Sequence, residues 1–319
     1  MKKSIKIILL SILFLVVFVI SALVSIALTG NAPNKLIAVE WNDSIGKIYT
    51  DLPYENTQGH LYDLYVSEGL DKSKEQYLIL YIHGGSFNSG AKEDGAEWCK
   101  YYATHGYIAA SLDYSLQTVH EDATLHRMND EIGNCVKAIK EKCAELGYSV
   151  DGMATCGVSA GGTLAMNYAY TRAESSAIPV KFVFQLAGPT DFEPCDWDLL
   201  KKVDKIKTDR DFIKMMTGAD FTDVQITNGE YRTEIDKISP ANLVSAESVP
   251  TLCGYGLRDH VIPSNQRKLL VDALKDANVP YDYFELPHSN HGMYADLDIL
   301  QKFIYQLFTC HNFCSYKSQ

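Results

Sequence analysis

The sequence predicts an α/β protein: a mostly parallel, eight-stranded sheet with helices on both faces and one small helical insertion. Three observations point there. Apolar runs of strand length alternate with helical periodicity along most of the 319 residues. Glycines follow the ends of several of those runs. One long stretch, 191–242, breaks the alternation with charges mixed among Trp197, Phe212, Met215, Met216 and Phe221.

Taken in order, residues 47–51 and 60–66 suit an antiparallel pair at the start of the sheet, although runs this short fit either element type. Residues 76–83 (QYLILYIH), 106–112 (GYIAASL), 151–157 (DGMATCG) and 180–187 (VKFVFQLA) read as strands, and 249–255 (VPTLCGY) and 280–286 (PYDYFEL) complete the set. Between them, Met128, Ile132, Val136, Ile139, Cys143 and Leu146 recur at three- and four-residue steps, and Gly147 offers a stop. Leu300, Phe303, Ile304, Leu307 and Phe308 mark one face of a C-terminal helix. The stretch 191–242 is read as helical because long bare loops are uncommon in compact domains.

The composition, 46% hydrophobic and 22% charged, is that of a globular protein. A chain of this size buries a core without help from disulfides or metals. The net charge is −11; without Lys2, Lys3 and Lys6, 26 basic residues stand against 40 acidic ones, a balance of −14. With no basic stripe, nucleic-acid binding is not expected, and long-range attraction of anionic substrates is disfavoured.

Residues 7–28 carry no charge and follow those three lysines. As a helix they would be about 33 Å long, enough to cross a bilayer core, with the lysines on the cytoplasmic side. A secretory signal has the same layout with a shorter apolar run. Gly30 and Ala32 have the size a cleavage site needs, but Pro33 stands where it blocks the cut. The expected organisation is therefore an anchor or signal at 1–30, a linker at 31–44 and a folded domain at 45–319. That domain would sit outside the cell membrane, or be secreted if the segment is removed.

Eight cysteines permit disulfides in an exported protein, but their spacing demands none. Cys156 and Cys253 lie in strand-like runs and read as small buried hydrophobes. Cys310 and Cys314 could pair or hold a metal, against the plainer reading of a frayed helix end. No His/Cys cluster has zinc spacing.

The chemistry centres on Gly157-Val158-Ser159-Ala160-Gly161, between a strand and a helix. A serine exposed on so sharp a turn needs small neighbours, and the helix that follows aims amides at the reacting centre. Upstream, His83-Gly84-Gly85-Ser86-Phe87 ends a strand. Acyl transfer builds negative charge on the carbonyl oxygen, and backbone amides must meet it. Those of Gly85 and Ser86, with Gly84 as a further candidate, join that of Ala160 as the expected oxyanion hole. His83 is expected to bond the loop behind the hole. An acid and then a histidine should follow the serine. Asp259 lies in the loop after 249–255, and His291, before a glycine, in the loop after 280–286. His288 is the alternative base, and a helix N-terminal carboxylate is the alternative role for Asp259.

With these motifs the chain resembles the α/β-hydrolases of the hormone-sensitive-lipase-like and bacterial carboxylesterase group, and it is similar to exported polysaccharide-acyl esterases. The resemblance spans about residues 45–308 and rests on HGGSF, DYSL at 113–116, GVSAGG, LRDHVIP and HGM. It implies a triad of Ser159, Asp259 and His291, no metal or organic cofactor, a small ester or acylated carbohydrate as substrate, and a cap over the acyl pocket formed by the insertion. Many members carry a third glycine or a glycine-tryptophan where this chain has Ser86 and Phe87, which alters the edge of the hole. A serine exopeptidase on the same fold and a non-catalytic binding protein on a hydrolase scaffold are the competing readings. The large additional domain common in such peptidases is absent from the pattern, and the presence of all three triad positions argues against the binding protein.

Overall fold

A computed structural model of the chain describes residues 32–120, 122–198 and 206–309. Eight strands form one sheet: β1 Gly46–Pro53, β2 Leu61–Ser67, β3 Gln76–Ile82, β4 Ile108–Leu112, β5 Val150–Val158, β6 Val180–Leu186, β7 Thr251–Gly256 and β8 Tyr281–Leu286. Their spatial order is β1-β2-β4-β3-β5-β6-β7-β8. The pairings β1–β2 and β2–β4 are antiparallel, and every later pairing is parallel. A parallel sheet covered on both faces needs strands that are apolar throughout. Accordingly every residue of β4 is buried, and all of β3 but Tyr77. Each large aliphatic side chain so placed contributes about 1.5–3 kcal/mol.

Helices α1 Ala32–Ile37, α2 Ala96–Thr104, α3 Leu125–Glu145, α4 Ala160–Arg172, α5 Asp209–Thr217, α6 Asp223–Thr227, α7 Arg232–Ile235, α8 Pro240–Leu243, α9 Gln266–Asp276 and α10 Leu297–Thr309 complete the described elements, with three short 3-10 turns. α1, α2 and α10 pack together in one layer, and α3, α4, α8 and α9 in the other. α3 begins at Thr124, whose side chain accepts the Arg127 amide, and Gly147 follows it with φ +86°. Cap and stop thus bracket the apolar face read from the sequence.

Three expectations need correction. Residues 32–37, expected in a linker, form α1, and Ile37 is wholly buried. The strand expected from residue 106 begins at Ile108, because Gly106 turns with φ +89°. The insertion is helical, yet Trp197, Phe212 and Met216 are buried in the hydrophobic core and Met215 packs against it. Its two ends are tied together: Ala241 N–H donates to the Thr190 carbonyl at 2.8 Å, and Phe192 N–H to Ser239 Oγ at 3.0 Å. Cys99, Cys135, Cys143, Cys156 and Cys253 are buried free thiols, while free Cys195 is exposed. The run 7–28 and Cys310 and Cys314 lie outside the described residues. Among the described residues no helix is long and apolar enough to cross a membrane.

The topology brings the chemistry to one end of the sheet. Ile82 pairs with Gly157 across β3–β5, so the HGGSF loop leaves beside the serine turn. Gly256 pairs with Leu286 across β7–β8, so the loops carrying Asp259 and His291 also leave side by side.

Candidate active site

Ser159 holds φ +57° and ψ −129°, a conformation that costs a non-glycine residue about 1–3 kcal/mol. The crossing that forces it is tight. A Cβ on Gly161 would stand 2.0 Å from the Ile82 carbonyl oxygen, and one on Gly157 would stand 2.4 Å from the Gly161 carbonyl carbon. Both positions therefore have to be glycine, and the turn projects Ser159 into a cleft of about 520 Å³ that His291 also lines.

Gly84, Gly85 and Ser86 line the same cleft. Their orientation follows from their carbonyls. His83 Nδ1 donates to the Gly84 carbonyl at 2.7 Å, and the Gly85 carbonyl accepts the amides of Asn88 and Ser89 at 3.0 Å each. In a planar trans peptide the N–H points opposite to the C=O. The amides of Gly85 and Ser86 are thereby turned away from the loop interior. Ala160 opens α4, where amides have no partner within the helix. Ser86 and Phe87 have positive φ, +54° and +64°. Phe87 is buried against Phe192, which stacks on Trp197, so the departure from a third glycine ties this loop to the insertion.

His291 Nδ1 lies 2.7 Å from Asp259 Oδ2. Asp259 Oδ1 accepts the amides of Val261 and Ile262 at 2.8 and 3.0 Å, so the carboxylate also pins its own loop. Burial pushes its carboxyl up, but the bonds from His291 and the two amides outweigh it and hold the group below the usual range. With Nδ1 engaged, Nε2 is the nitrogen left for the serine. The two loops are stitched by Arg258 N–H to the Ser289 carbonyl at 3.0 Å, and a Cβ on Gly256 would stand 2.5 Å from that same oxygen.

The remaining histidines fall elsewhere. His288 is 65% exposed and bonds Asp296 through Nδ1 at 2.9 Å. His83 is buried, and burial pulls its pKa down. None of Trp197, Phe212, Met215, Met216 and Phe221 lines the cleft around Ser159. The sequence reading missed Asp94, Ser89, Gly90, Val158 and Val261 in the cleft wall. A 3-10 turn at Lys92–Gly95 supplies Asp94, and neither periodicity nor motif marks it. Among the described residues no group of His, Cys, Asp or Glu side chains is arranged to hold a metal ion.

Residues 62–274 match the BD-FAE family. Part of the chain, 126 residues, is 31% identical to the non-reducing polyketide synthase Preu6 of Preussia isomera, and 123 residues are 29% identical to the non-reducing polyketide synthase stbA of Stachybotrys bisbyi. These matches cover 38% and 37% of this chain and 6% of each synthase. The chain is thus similar to a small part of these much longer relatives. Among solved structures, a truncated carbohydrate esterase from gut microbiota has a TM-score of 0.67 at 16% identity, over 86% of this chain and 100% of that one. An inhibited esterase B from Lactobacillus rhamnosis gives 0.64 at 16%, over 91% and 94%. Butyrate-bound esterase 2 of Thermogutta terrifontis gives 0.62 at 17%, over 86% and 96%. At this identity the likeness shows the fold, that of the α/β-hydrolases.

Proposed function

The chain belongs to the BD-FAE family of α/β-hydrolase esterases, and on that premise we propose that it cleaves carboxylic esters through Ser159, His291 and Asp259 by way of an acyl-enzyme. The observation that carries this reading is the 2.7 Å bond between His291 Nδ1 and Asp259 Oδ2, with the imidazole lining the same cleft as the strained Ser159.

The chemistry runs in two halves. His291 Nε2 takes the proton of Ser159 Oγ as that oxygen bonds to the ester carbonyl carbon. The carbonyl oxygen becomes an oxyanion held by the amides of Gly85, Ser86 and Ala160, with Gly84 at the edge, each donor supplying about 3–4 kcal/mol. Collapse breaks the bond to the alcohol oxygen, which leaves with the proton from His291. Water then gives His291 a proton, attacks the acyl carbon and releases the acid, and Ser159 recovers its proton. Asp259 stays ionised throughout and stabilises the imidazolium.

A cleft walled by glycines and serines suits a small ester or an acylated carbohydrate. The basic residues before an uncharged run at 7–28 support a catalytic domain held outside the cell membrane, with secretion as the outcome if the segment is cut. A fluorophosphonate probe followed by peptide mapping tests the mechanism: the label should sit on Ser159, and p-nitrophenyl acetate should be hydrolysed. A label on another residue, or full ester hydrolysis by Ser159→Ala, would sink it.

A further inference from the structure

Around Ser159 much of the cleft wall is glycine and serine: Gly84, Gly85, Ser86, Ser89 and Gly90. Among the described residues that line it, Asp94 is the one carboxylate. Its Oδ2 accepts the Ala91 amide at 3.1 Å, which caps the short turn. Its Oδ1 has no hydrogen-bond partner among the described residues, and the side chain is exposed to the cleft.

Asp94 stands at the third position of the turn and reaches back to the amide of Ala91, the residue before the turn, a bond that a neutral side-chain amide oxygen accepts as well. The charge is therefore surplus to the turn. Its open oxygen lies in the wall of the cleft that takes the ester, so it acts on what enters there. An ionised carboxylate accepts strong hydrogen bonds from hydroxyls and repels carboxylates, sulfates and phosphates. It does not suit an apolar acyl chain, which would strip it of water without a partner.

We propose that Asp94 is the specificity-determining residue for the alcohol half of the ester, favouring neutral alcohols that bear a further hydroxyl and turning away anionic ones. This rests on the esterase reading of the cleft and deepens it.

Three esters sharing one acyl group test it: the acetyl esters of glycerol, ethanol and glycolate. The readout is the ratio of kcat/KM values within each enzyme, which cancels any loss of folded protein. In Asp94→Ala the glycerol-to-ethanol ratio should fall about tenfold, the usual effect of losing a charge-assisted hydrogen bond. The glycolate-to-ethanol ratio should rise. Asp94→Asn keeps the turn's cap and should move both ratios the same way by less. Ratios within about twofold of the native enzyme in both variants, where one lost neutral bond already exceeds that, would reduce Asp94 to a turn cap. If the native protein cleaves none of the three esters nor p-nitrophenyl acetate, the esterase reading itself fails, which is a distinguishable result.

Discussion

The rings of His83 and Tyr114 lie face to face, their centroids 4.1 Å apart and their planes within 10°. Tyr114 Oη also donates to the His83 carbonyl at 3.0 Å. The stack and that bond hold the imidazole where its Nδ1 meets the Gly84 carbonyl, and so set the direction of the Gly85 amide. Tyr114 thus acts on the cleft from behind, two contacts removed. The Tyr114→Phe variant keeps the stack and loses the bond. It should be less stable by about 0.5–1.5 kcal/mol. In the proposed mechanism it should lower kcat on p-nitrophenyl acetate while KM changes little. A raised KM at native kcat would instead assign Tyr114 to ground-state binding.

His83 makes a pH prediction. Its Nε2 is buried without a partner among the described residues, so a proton there would add an uncompensated charge. Burial depresses its folded pKa below the ordinary histidine value. Between those two values the unfolded chain binds the proton and the folded one does not, so stability falls as pH falls. The contribution is fully present above about 6.5 and is lost on the acid side as the folded value is approached. Denaturant unfolding at several pH values below neutrality should show this slope, and His83→Gln should flatten it. An equal slope in the variant would assign the acid sensitivity to other groups.

Glycines here serve opposite purposes, and alanine separates them. A Cβ on Gly161 would meet the Ile82 carbonyl oxygen at 2.0 Å, so Gly161→Ala must part β3 from α4. Loss of soluble, active protein is expected, since overpacking costs about 1–3 kcal/mol even where side chains can yield. Gly133 lies inside α3, where a Cβ would meet only the Tyr168 ring at an ordinary 3.7 Å. Gly133→Ala should therefore raise stability by about 0.5–1 kcal/mol. Thermal unfolding of the two variants decides both statements.

What the sequence made legible was local. Strand, glycine, serine, glycine and helix are contiguous, so the Ser159 turn could be read directly, as could the loops carrying Asp259 and His291. Asp94 could not, because its place in the cleft depends on how the turn after the HGGSF loop folds back. The insertion marks a different limit. Its length implied helices, since bare loops of that size are uncommon, but nothing in its mixed pattern named the surface its apolar side chains would meet. Phe212 and Met216 went to the core. Residues 32–37 were too few for a periodic signal; the burial of Ile37 and the packing of α1 on α2 and α10 place them in the body.

The choice between the two histidines of 288–291 is the sharpest test of the proposed mechanism. They are three residues apart, and each bonds an aspartate through Nδ1: His288 to Asp296 at 2.9 Å, His291 to Asp259 at 2.7 Å. Only His291 lines the cleft with Ser159; His288 is largely in solvent. Its partner Asp296 is buried and keeps the His288 amide at 2.9 Å when the imidazole is removed. His288→Ala should therefore keep most ester hydrolysis and lose about 1–3 kcal/mol of stability, the cost of one hydrogen bond to a charged group. His291→Ala should lose several orders of magnitude in kcat, and the double variant with Ser159→Ala little more, because the residues act as a unit. Asp259→Asn should cost somewhat less than either, since the carboxylate orients and stabilises the ring without exchanging a proton with substrate. Initial rates on p-nitrophenyl acetate, with circular dichroism to verify folding, supply the readout. A dead His288→Ala beside an active His291→Ala, both folded, would transfer the role of base to His288 and leave the 2.7 Å bond as a loop clasp.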